Sequence, residues 1–396
     1  MKQLKFFNLV FITLLLALFL PKIAHSILDK PMESVHVYYS EVLDDFIIQK
    51  RENNQTSYQT SKGETMDNEG FAHSLPFSFA VYLLSRGEFP AQFSEWSDAD
   101  KIKENSQHVG IKPQIYHQKT LPLFTLFESN PTYLQLNFNP WIIRNTQDGV
   151  EFLNLNTLKV HERLSAKFTQ ALKDADFSFP FRQHFGNPNP KKPFDEGAFL
   201  IDSKGEVYHL KMRDSEPKVA RTGIVSDSIS LITVNEHTRR EFYGILIDRE
   251  GAKLVSYDNY RLIPLPNDLY NPIDTRFRLG ITPLSRTLAL ENSRGITMYH
   301  LDENYREIKR FNYSFSQNER FEFLKKYIFP FVIKEAREYR YHLILADFSL
   351  SALWLNAILT LGFVLFRFRK ERAYFKALLV FVGGIYGFIA VCLGSL

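Results

Sequence analysis

Apolar residues follow two patterns along this chain: long uninterrupted runs near both ends and short alternating runs between them. The long runs cover residues 6–20, 348–366 and 373–396, and the last of them is apolar apart from Lys376 at its edge. Charge-free runs approaching twenty residues are typical of membrane-spanning helices, and shorter ones at the N-terminus are typical of signal peptides. The alternating runs are typical of half-buried β-strands. The pattern therefore predicts a mainly β protein with α insertions that is anchored in a membrane.

Four segments of the middle region repeat one strand–turn–strand pattern. They are IIRNTQDGVEFLNL, FLIDSKGEVYHL, ILIDREGAKLVSY and LALENSRGITMYHL, and their turn glycines are 56, 46 and 44 residues apart. A polar turn containing glycine between two β-like runs predicts a hairpin. Strand pairs that recur about every 40–50 residues are typical of propeller blades, although a β-sandwich or a meander produces part of the same pattern. We predict a propeller-like β-meander over residues 176–315.

The flanking regions complete the predicted organisation of the chain. Residues 1–28 are predicted to be either a signal peptide or an N-terminal membrane anchor, and both alternatives export the middle region. Residues 29–175 are predicted to be a mixed α/β part of the exported domain. Residues 316–345 are predicted to form an amphipathic juxtamembrane helix, kinked at Pro330. Residues 346–396 are predicted to form a transmembrane helical hairpin.

The net charge of +4 is concentrated beside the apolar runs. Basic residues precede the first run, and a basic turn joins the last two runs through Arg367, Arg369, Lys370 and Arg372. Positive residues next to membrane helices remain on the cytoplasmic side, so this turn is predicted to be cytoplasmic and the middle region extracytoplasmic. The basic excess therefore indicates membrane orientation, and we expect no nucleic-acid partner.

Small and polar residues form one stripe on each C-terminal helix. These stripes contain Ala352, Asn356 and Thr360 on the first helix, and Gly383, Gly387 and Gly394 on the second. Small residues let membrane helices pack closely. The two stripes are expected to pack on each other, and the alternative is that one of them docks another membrane protein.

Sequence motifs for catalysis or metal binding are absent. The single cysteine, Cys392, excludes an intramolecular disulfide and a thiolate cluster. The sequence contains no glycine-rich phosphate loop and no nucleophile elbow. The closest histidines, His108 and His117, are nine residues apart, which is too far for two metal ligands on one helical turn. We therefore expect no cofactor and no metal.

A proline-rich loop and the hairpin after it carry the candidate site. The residues proposed as a ligand or partner surface are His184, Asn187, Lys192, Asp195, Glu196 and His209. One interpretation makes Asp195 and Glu196 an acid–base or cation-binding pair. The other makes Asp195 a turn cap, leaves Glu196 solvated and places His209 on an outer face. Adjacent carboxylates on a strand point to opposite faces, so we expect the structural alternative.

Tyrosines are concentrated after the candidate loop. Tyr243, Tyr257, Tyr260 and Tyr270 either line a ligand groove or pack between sheets. Buried tyrosines commonly contribute their rings to a core and their hydroxyls to hydrogen bonds, so we expect packing.

The central segment resembles a known family. The runs FSFPFRQHFGNPNPKKPFDEGAFLIDSKGEVYHLKM, NEHTRREFYGILI and YRLIPLPNDLYNP are similar to an uncharacterised bacterial family catalogued as domain of unknown function 4857. The earlier runs YYSEVLDDF and SLPFSFAVYLLSRGEFP are similar to it as well, so the resemblance covers roughly residues 35–341. It implies a membrane-anchored bacterial protein, often expected near transport genes. It implies no activity and no catalytic residues.

These observations lead to one expected function and two alternatives. We expect a non-enzymatic accessory or recognition subunit of a membrane transport complex, in the bacterial inner membrane with its main domain facing the periplasm. Its expected partners are the lipid bilayer and an integral membrane protein. The alternatives are an extracytoplasmic propeller-like hydrolase or lyase, and an envelope sensor or structural scaffold.

Overall fold

The computed structural model describes residues 2–28, 34–52, 54–117, 121–129, 140–315, 319–338, 340–346, 348–365 and 374–394. The chain divides into two compact units. The larger, β-rich unit contains residues 35–50 and 56–315, and the smaller unit contains residues 1–34, 51–55 and 316–396. The predicted basic turn at residues 367–372 lies outside the described residues.

The first part of the β-rich unit is a sheet followed by short helices. Sheet I contains β1 (Ser34–Ser40), β2 (Asp45–Glu52), β3 (Gln55–Thr60) and β4 (Thr65–Met66) in chain order. The next elements are α2 (Asn68–Ser74), α3 (Ala80–Arg86), a 3-10 helix (Ala91–Trp96), α4 (Ala99–Glu104), β5 (Gln107–Ile111) and α5 (Pro113–His117). Gly87 ends α3 in the left-handed conformation, which glycine adopts at low cost.

Sheets II and III are joined by one amphipathic helix. Sheet II contains β6 (Leu123–Phe124), β7 (Trp141–Asn145) and β8 (Val150–Asn154). Helix α6 (Glu162–Asp174) comes next, and its Phe168 and Leu172 are buried. Sheet III is an antiparallel meander of β9 (Gln183–Gly186), β10 (Ala198–Ile201), β11 (Glu206–Arg213) and β12 (Glu216–Val225).

Sheets IV and V are two further antiparallel meanders. Sheet IV contains β13 (Leu231–Val234), β14 (Phe242–Asp248), β15 (Gly251–Ser256) and β16 (Leu262–Pro264). Sheet V contains β17 (Arg276–Ile281), β18 (Arg286–Asn292), β19 (Gly295–Leu301) and β20 (Glu307–Ser314), and the earlier strand β5 pairs with β17.

All four predicted hairpins are present, and each lies in a different sheet. They are β7–β8, β10–β11, β14–β15 and β18–β19. The prediction of a mainly β protein built from antiparallel sheets is therefore confirmed.

The sheets pack face to face in the series II–III–IV–V–I. Side chains alternate between the two faces of a strand. Each strand of a sheet in the middle of the series therefore contributes side chains to two cores. In β14, Leu246 belongs to the core shared with sheet III, whereas Ile245 and Ile247 belong to the core shared with sheet V. In the described part of the chain, no cluster of buried apolar residues joins sheet I to sheet II, so a closed ring is not seen.

The smaller unit is formed by the two ends of the chain. Its elements are α1 (Lys2–Leu28), α7 (Glu319–Tyr327), β21 (Val332–Glu338), β22 (Arg340–Ala346), a 3-10 helix (Leu350–Ala352), α8 (Leu353–Phe363) and α9 (Tyr374–Leu393). Two of these helices are long and apolar enough to cross a membrane by length and composition, at residues 7–28 and 374–393.

The prediction of one helix over residues 316–345 is wrong for its second half. Helix α7 ends at Tyr327, shortly before Pro330, which cannot continue a helix. Strands β21 and β22 then pair antiparallel, with Val332 opposite Ala346. The β-branched and aromatic residues of this segment favour strands.

Candidate functional site

The candidate loop runs from β9 to β10 and turns one lysine into the protein interior. The Asn187 side chain accepts a hydrogen bond from the Asn189 amide (3.1 Å), and the Asn189 side chain accepts one from the Lys191 amide (2.9 Å). Such side-chain turns, together with three prolines, fix the loop backbone. As a result Lys192 lies in the core, where only 4% of its side chain is exposed.

Lys192 is the centre of a buried ionic cluster. Its ammonium donates to the Asn187 carbonyl oxygen (2.7 Å), to a Glu236 oxygen (2.8 Å) and to Asp195. An ammonium has three donors, so this one is saturated. The Asn187 side chain also donates to the second Glu236 oxygen (2.7 Å). The cluster therefore ties the loop of sheet III to the segment after β13 of sheet IV.

Asp195 completes the lysine's environment from within the loop. One carboxylate oxygen accepts from Lys192, and the other accepts from the Phe127 backbone amide at 3.0 Å. Burial raises the pKa of Asp195, and the nearby Lys192 charge opposes part of that rise. Asp195 thus connects the loop to the segment after β6 through hydrogen bonds. It is not only a turn cap, as the sequence suggested.

Glu196 belongs to a second group of contacts, directly beside the first. Its carboxylate accepts from Lys211 and from the Tyr257 hydroxyl (2.5 Å). The Tyr243 ring stacks on Tyr257 with a centroid separation of 3.9 Å. Glu196 is only 3% exposed, so the expectation of a solvated Glu196 is wrong. Burial and the hydrogen bond to Glu196 raise the pKa of Tyr257, which keeps this phenol protonated as a donor.

His209 lies next to Glu196 and uses both ring nitrogens. Its Nε2 donates to the Glu196 carbonyl oxygen, and its Nδ1 therefore accepts from the Tyr260 hydroxyl (3.0 Å). The ring stacks on Phe199 at 4.3 Å between centroids. Burial, together with the Lys211 charge, lowers the pKa of His209 to about 3. His209 is therefore a neutral, fixed imidazole in the core, and its expected position on an outer face is wrong.

The structure does not bring His184 into this group. In the register of β9, β10 and β11, Phe199 is opposite both Phe185 and His209, whereas His184 is opposite Leu200. Neighbouring residues on a strand point to opposite faces. His184 accordingly stacks on Phe124 in the core between sheets II and III, and burial lowers its pKa.

The chemistry available in the two groups is that of a closed network. Each buried charged or aromatic polar group already has a donor or acceptor within the protein. Among the residues that the structure describes, no group of three or more His, Cys, Asp or Glu side chains is placed to hold a metal ion. An open groove of about 740 Å³ lies elsewhere, on α3 and α4, and shares no lining residue with the network. The arrangement is suited to holding sheets III and IV together.

Several members of the network were missed or only partly seen in the sequence. Glu236 carries no motif, and Lys211 looks like an ordinary outward-facing strand residue. Tyr243, Tyr257 and Tyr260 pack between sheets III and IV. Tyr270 packs against Phe277 in the next core, between sheets IV and V. The sequence did contain one indication of an ion pair, because Lys192 in the proline-rich loop is followed closely by Asp195 and Glu196.

The predicted stripe on α8 packs on α9. Asn356 of α8 and Ala352, in the 3-10 helix just before it, are fully buried. The Asn356 side chain donates to the Phe381 carbonyl oxygen at 3.0 Å. Thr360 bonds back to the Asn356 carbonyl within the same helix (2.7 Å).

The predicted glycine stripe is not one face of a straight helix. Gly384 has φ +54° and ψ −130°, which interrupts α9. A Cβ on Gly383 or Gly394 would lie 2.9 Å from Thr13 and 2.6 Å from Leu9 of α1, whereas one on Gly387 would overlap the Leu379 carbonyl. These glycines therefore pack within the chain.

Comparison with known families agrees with the motifs quoted above. A family model described as Domain of unknown function (DUF4857) matches residues 36–301. The chain belongs to this family. No curated protein matches the chain. The matched residues of the DUF4857 domain contain the whole buried network around Lys192 and Glu196, whereas α8 and α9 lie beyond the match.

Proposed function

We propose that this DUF4857 protein is a non-enzymatic, membrane-anchored accessory or recognition subunit of a membrane transport complex. The β-rich unit faces the periplasm, and the smaller unit lies in the bacterial inner membrane. The observation that carries this proposal is the contrast between a β-rich unit whose candidate site is a closed network and a smaller unit with much exposed apolar surface.

Exposed aromatic and aliphatic side chains support the membrane anchor. On α1, Phe7 is 69% and Phe11 is 62% exposed, and on α8, Trp354 is 80% and Ile358 is 65% exposed. Large contiguous apolar surfaces are rare on soluble monomers and mark membrane or protein contacts. Residues 7–28 of α1 have a mean hydropathy of 2.1. This value favours lipid as the phase that covers the exposed side chains of α1.

The charge distribution supports the orientation. Lys2 and Lys5 precede the apolar run of α1, and the basic residues 367–372 lie between the C-terminal apolar runs. Under the positive-inside rule both stretches are cytoplasmic, which leaves the β-rich unit outside.

The closed network supports a structural role over the hydrolase or lyase alternative. A general base must reach a substrate proton directly or through one water molecule. His209 is neutral, buried, and bonded through both nitrogens, while Asp195 and Glu196 are each engaged by a lysine. Catalysis would require these bonds to break first.

We also propose that the β-rich unit is a propeller-like arc. Four- and five-stranded antiparallel meanders that pack face to face in series are the units from which propellers are built. Sheets III, IV and V have this form. Strand β5, from an earlier part of the chain, pairs with β17 of sheet V and so links distant parts of the chain within the arc.

The proposal is tested by comparing variants of the full chain for rescue of a deletion phenotype. Asp195→Asn keeps the shape of the side chain and one of its two acceptor oxygens. A residue that only holds the fold tolerates the loss of one acceptor, so rescue is expected to be retained. Gly387→Leu forces a side chain into the Leu379 backbone, so rescue is expected to be lost while limited proteolysis of the β-rich unit is unchanged. Gly362→Leu is the matched control, because no atom lies within 4 Å of its Cβ position.

One outcome of this comparison contradicts the proposal directly. If Asp195→Asn abolishes rescue while the protein keeps normal abundance and thermal stability, the carboxylate has a chemical role. The enzymatic alternative would then replace the accessory role.

A further inference from the structure

Helix α9 contains a break that only glycine tolerates. At Gly384 the backbone has φ +54° and ψ −130°, a combination that L side chains do not adopt without strain. A Cβ at this position would also overlap the Asn356 amide oxygen and lie 3.0 Å from the Pro330 ring. The break divides α9 into two segments, residues 374–383 and 385–393.

The two segments fold back on each other. Leu379 and Gly387 are eight residues apart, which corresponds to about 12 Å along a straight helix. In the structure a Cβ on Gly387 would overlap the Leu379 carbonyl and lie 3.1 Å from the Val380 Cα. Val380 and Val391 share one buried cluster, although a straight helix would separate them by about 16 Å. The break is therefore a reversal of direction and not a gentle bend.

Contacts with α1 show the direction of the second segment. Gly394 faces Leu9, and Tyr386 shares a buried cluster with Ala17. As the second segment advances along the chain, its neighbours thus move back toward the start of α1. Gly383, just before the reversal, faces Thr13. The tip of the hairpin therefore lies beside the middle of α1, and the chain returns from there toward the N-terminal end of α1.

One backbone carbonyl released by the break, that of Phe381, is bonded within the protein. In an unbroken helix the Phe381 carbonyl would accept from the amide of residue 385. Here it accepts from the Asn356 side chain at 3.0 Å, and Asn356 is fully buried. The Tyr386 hydroxyl donates to the Phe331 carbonyl (2.8 Å). Irregular backbone at membrane depth is tolerated where it is buried in protein and its polar groups have partners.

The two segments differ in what covers them. Leu378 and Val382 in the first segment are each 59% exposed, whereas Tyr386 and Ala390 in the second are fully buried. The first segment thus presents a side to lipid, and residues 386–391 of the second pack inside the unit, whereas Leu393 is 53% exposed.

We propose that α9 is a re-entrant membrane hairpin whose tip is Gly383–Gly384, so that Tyr374 and Gly394 lie on the same side of the bilayer. Each segment is about 15 Å long, half of the roughly 30 Å hydrocarbon core, so neither spans it alone. This inference rests on the membrane anchoring proposed above, under which the shared side is the cytoplasm. It replaces the expectation of a transmembrane helical hairpin whose last helix crosses the membrane and ends outside.

The test uses the full-length chain with Cys392→Ser and one new cysteine at a time. The new cysteines are Tyr374→Cys, Lys204→Cys in the β10–β11 turn, and one in a short peptide appended after Leu396. An impermeant maleimide is applied to cells with a permeabilised outer membrane and, separately, to inverted inner-membrane vesicles. We expect the appended cysteine and Tyr374→Cys to react only in inverted vesicles, and Lys204→Cys to react only from outside.

Labelling of the appended cysteine from the side opposite to Tyr374→Cys overturns the re-entrant hairpin and leaves the membrane anchor intact. Release of the protein by alkaline carbonate overturns the anchor, and the hairpin with it.

A second variant tests the tip itself. Gly384→Leu is expected to reduce same-side labelling of the appended cysteine several-fold, because leucine cannot adopt the backbone of the reversal. Gly362→Leu, with open space around its Cβ, is expected to behave as wild type. Unchanged same-side labelling of an intact Gly384→Leu protein overturns the assignment of the tip.

Discussion

The buried state of His209 predicts a specific dependence of stability on pH. The pKa of this imidazole is lowered from 6.5 to about 3 in the folded protein. The unfolded chain therefore takes up a proton at higher pH than the folded chain. The stabilisation is fully present above about pH 6.5 and is lost as the pH falls toward 3. Each pH unit in that window is worth about 1.4 kcal/mol, so His209 should cost about 2 kcal/mol between pH 7 and pH 5.

Replacement of His209 by glutamine removes the titrating group and keeps a donor for the Glu196 carbonyl. At pH 7 the variant should be less stable by about 1–3 kcal/mol, because it loses the bond from Tyr260 and the stacking on Phe199. Between pH 7 and pH 5, however, its free energy of unfolding should fall by about 2 kcal/mol less than that of the wild type. Other buried histidines titrate in both proteins, so the difference between the two slopes isolates His209.

The assay is urea unfolding of the full-length chain in a nonionic detergent, followed by circular dichroism at several pH values. His73→Gln is the matched control for replacing a histidine by glutamine, because this partly exposed histidine on α2 lies outside the network. Equal slopes for wild type and His209→Gln would refute the account of a neutral, buried imidazole.

Two further predictions concern the same region. Lys192→Met should lower the free energy of unfolding by about 3–5 kcal/mol, because two buried carboxylates lose their cation, whereas Lys167→Met in a surface pair should cost less than about 1 kcal/mol. Equal losses would show that Lys192 is solvated. Gly197→Ala should destabilise more than Gly63→Ala, since both have positive φ but only Gly197 has the Leu210 carbonyl where a Cβ would lie. Thermal unfolding of the two alanine variants checks this, and equal shifts would contradict it.

Local sequence signals predicted the β-rich unit better than the smaller unit. The four hairpins were recognisable because an acidic residue and a glycine mark each turn, and turn type depends on adjacent residues. The strands at residues 332–346 were missed because charged residues alternate there in a way that also fits an amphipathic helix. The strand conformation is stabilised by pairing between residues as far apart in sequence as Val332 and Ala346, and local sequence patterns do not reveal such a contact.

Long-range partners explain what the sequence did not indicate about the site. Glu196 is buried because Lys211 and Tyr257, 15 and 61 residues away, converge on it. The break at Gly384 was hidden for a similar reason, since a double glycine in an apolar run also fits close helix packing. Its conformation depends on Asn356, which lies on another helix.

The most direct test of the central claim is co-purification from native inner membranes in a mild detergent after brief cross-linking. An accessory subunit of a membrane complex should recover one integral membrane protein in fixed stoichiometry with wild type and with Asp195→Asn. The same protein should be lost with Gly387→Leu. If wild type purifies with no stoichiometric membrane protein, or if Gly387→Leu recovers it equally well, the proposed accessory role is contradicted.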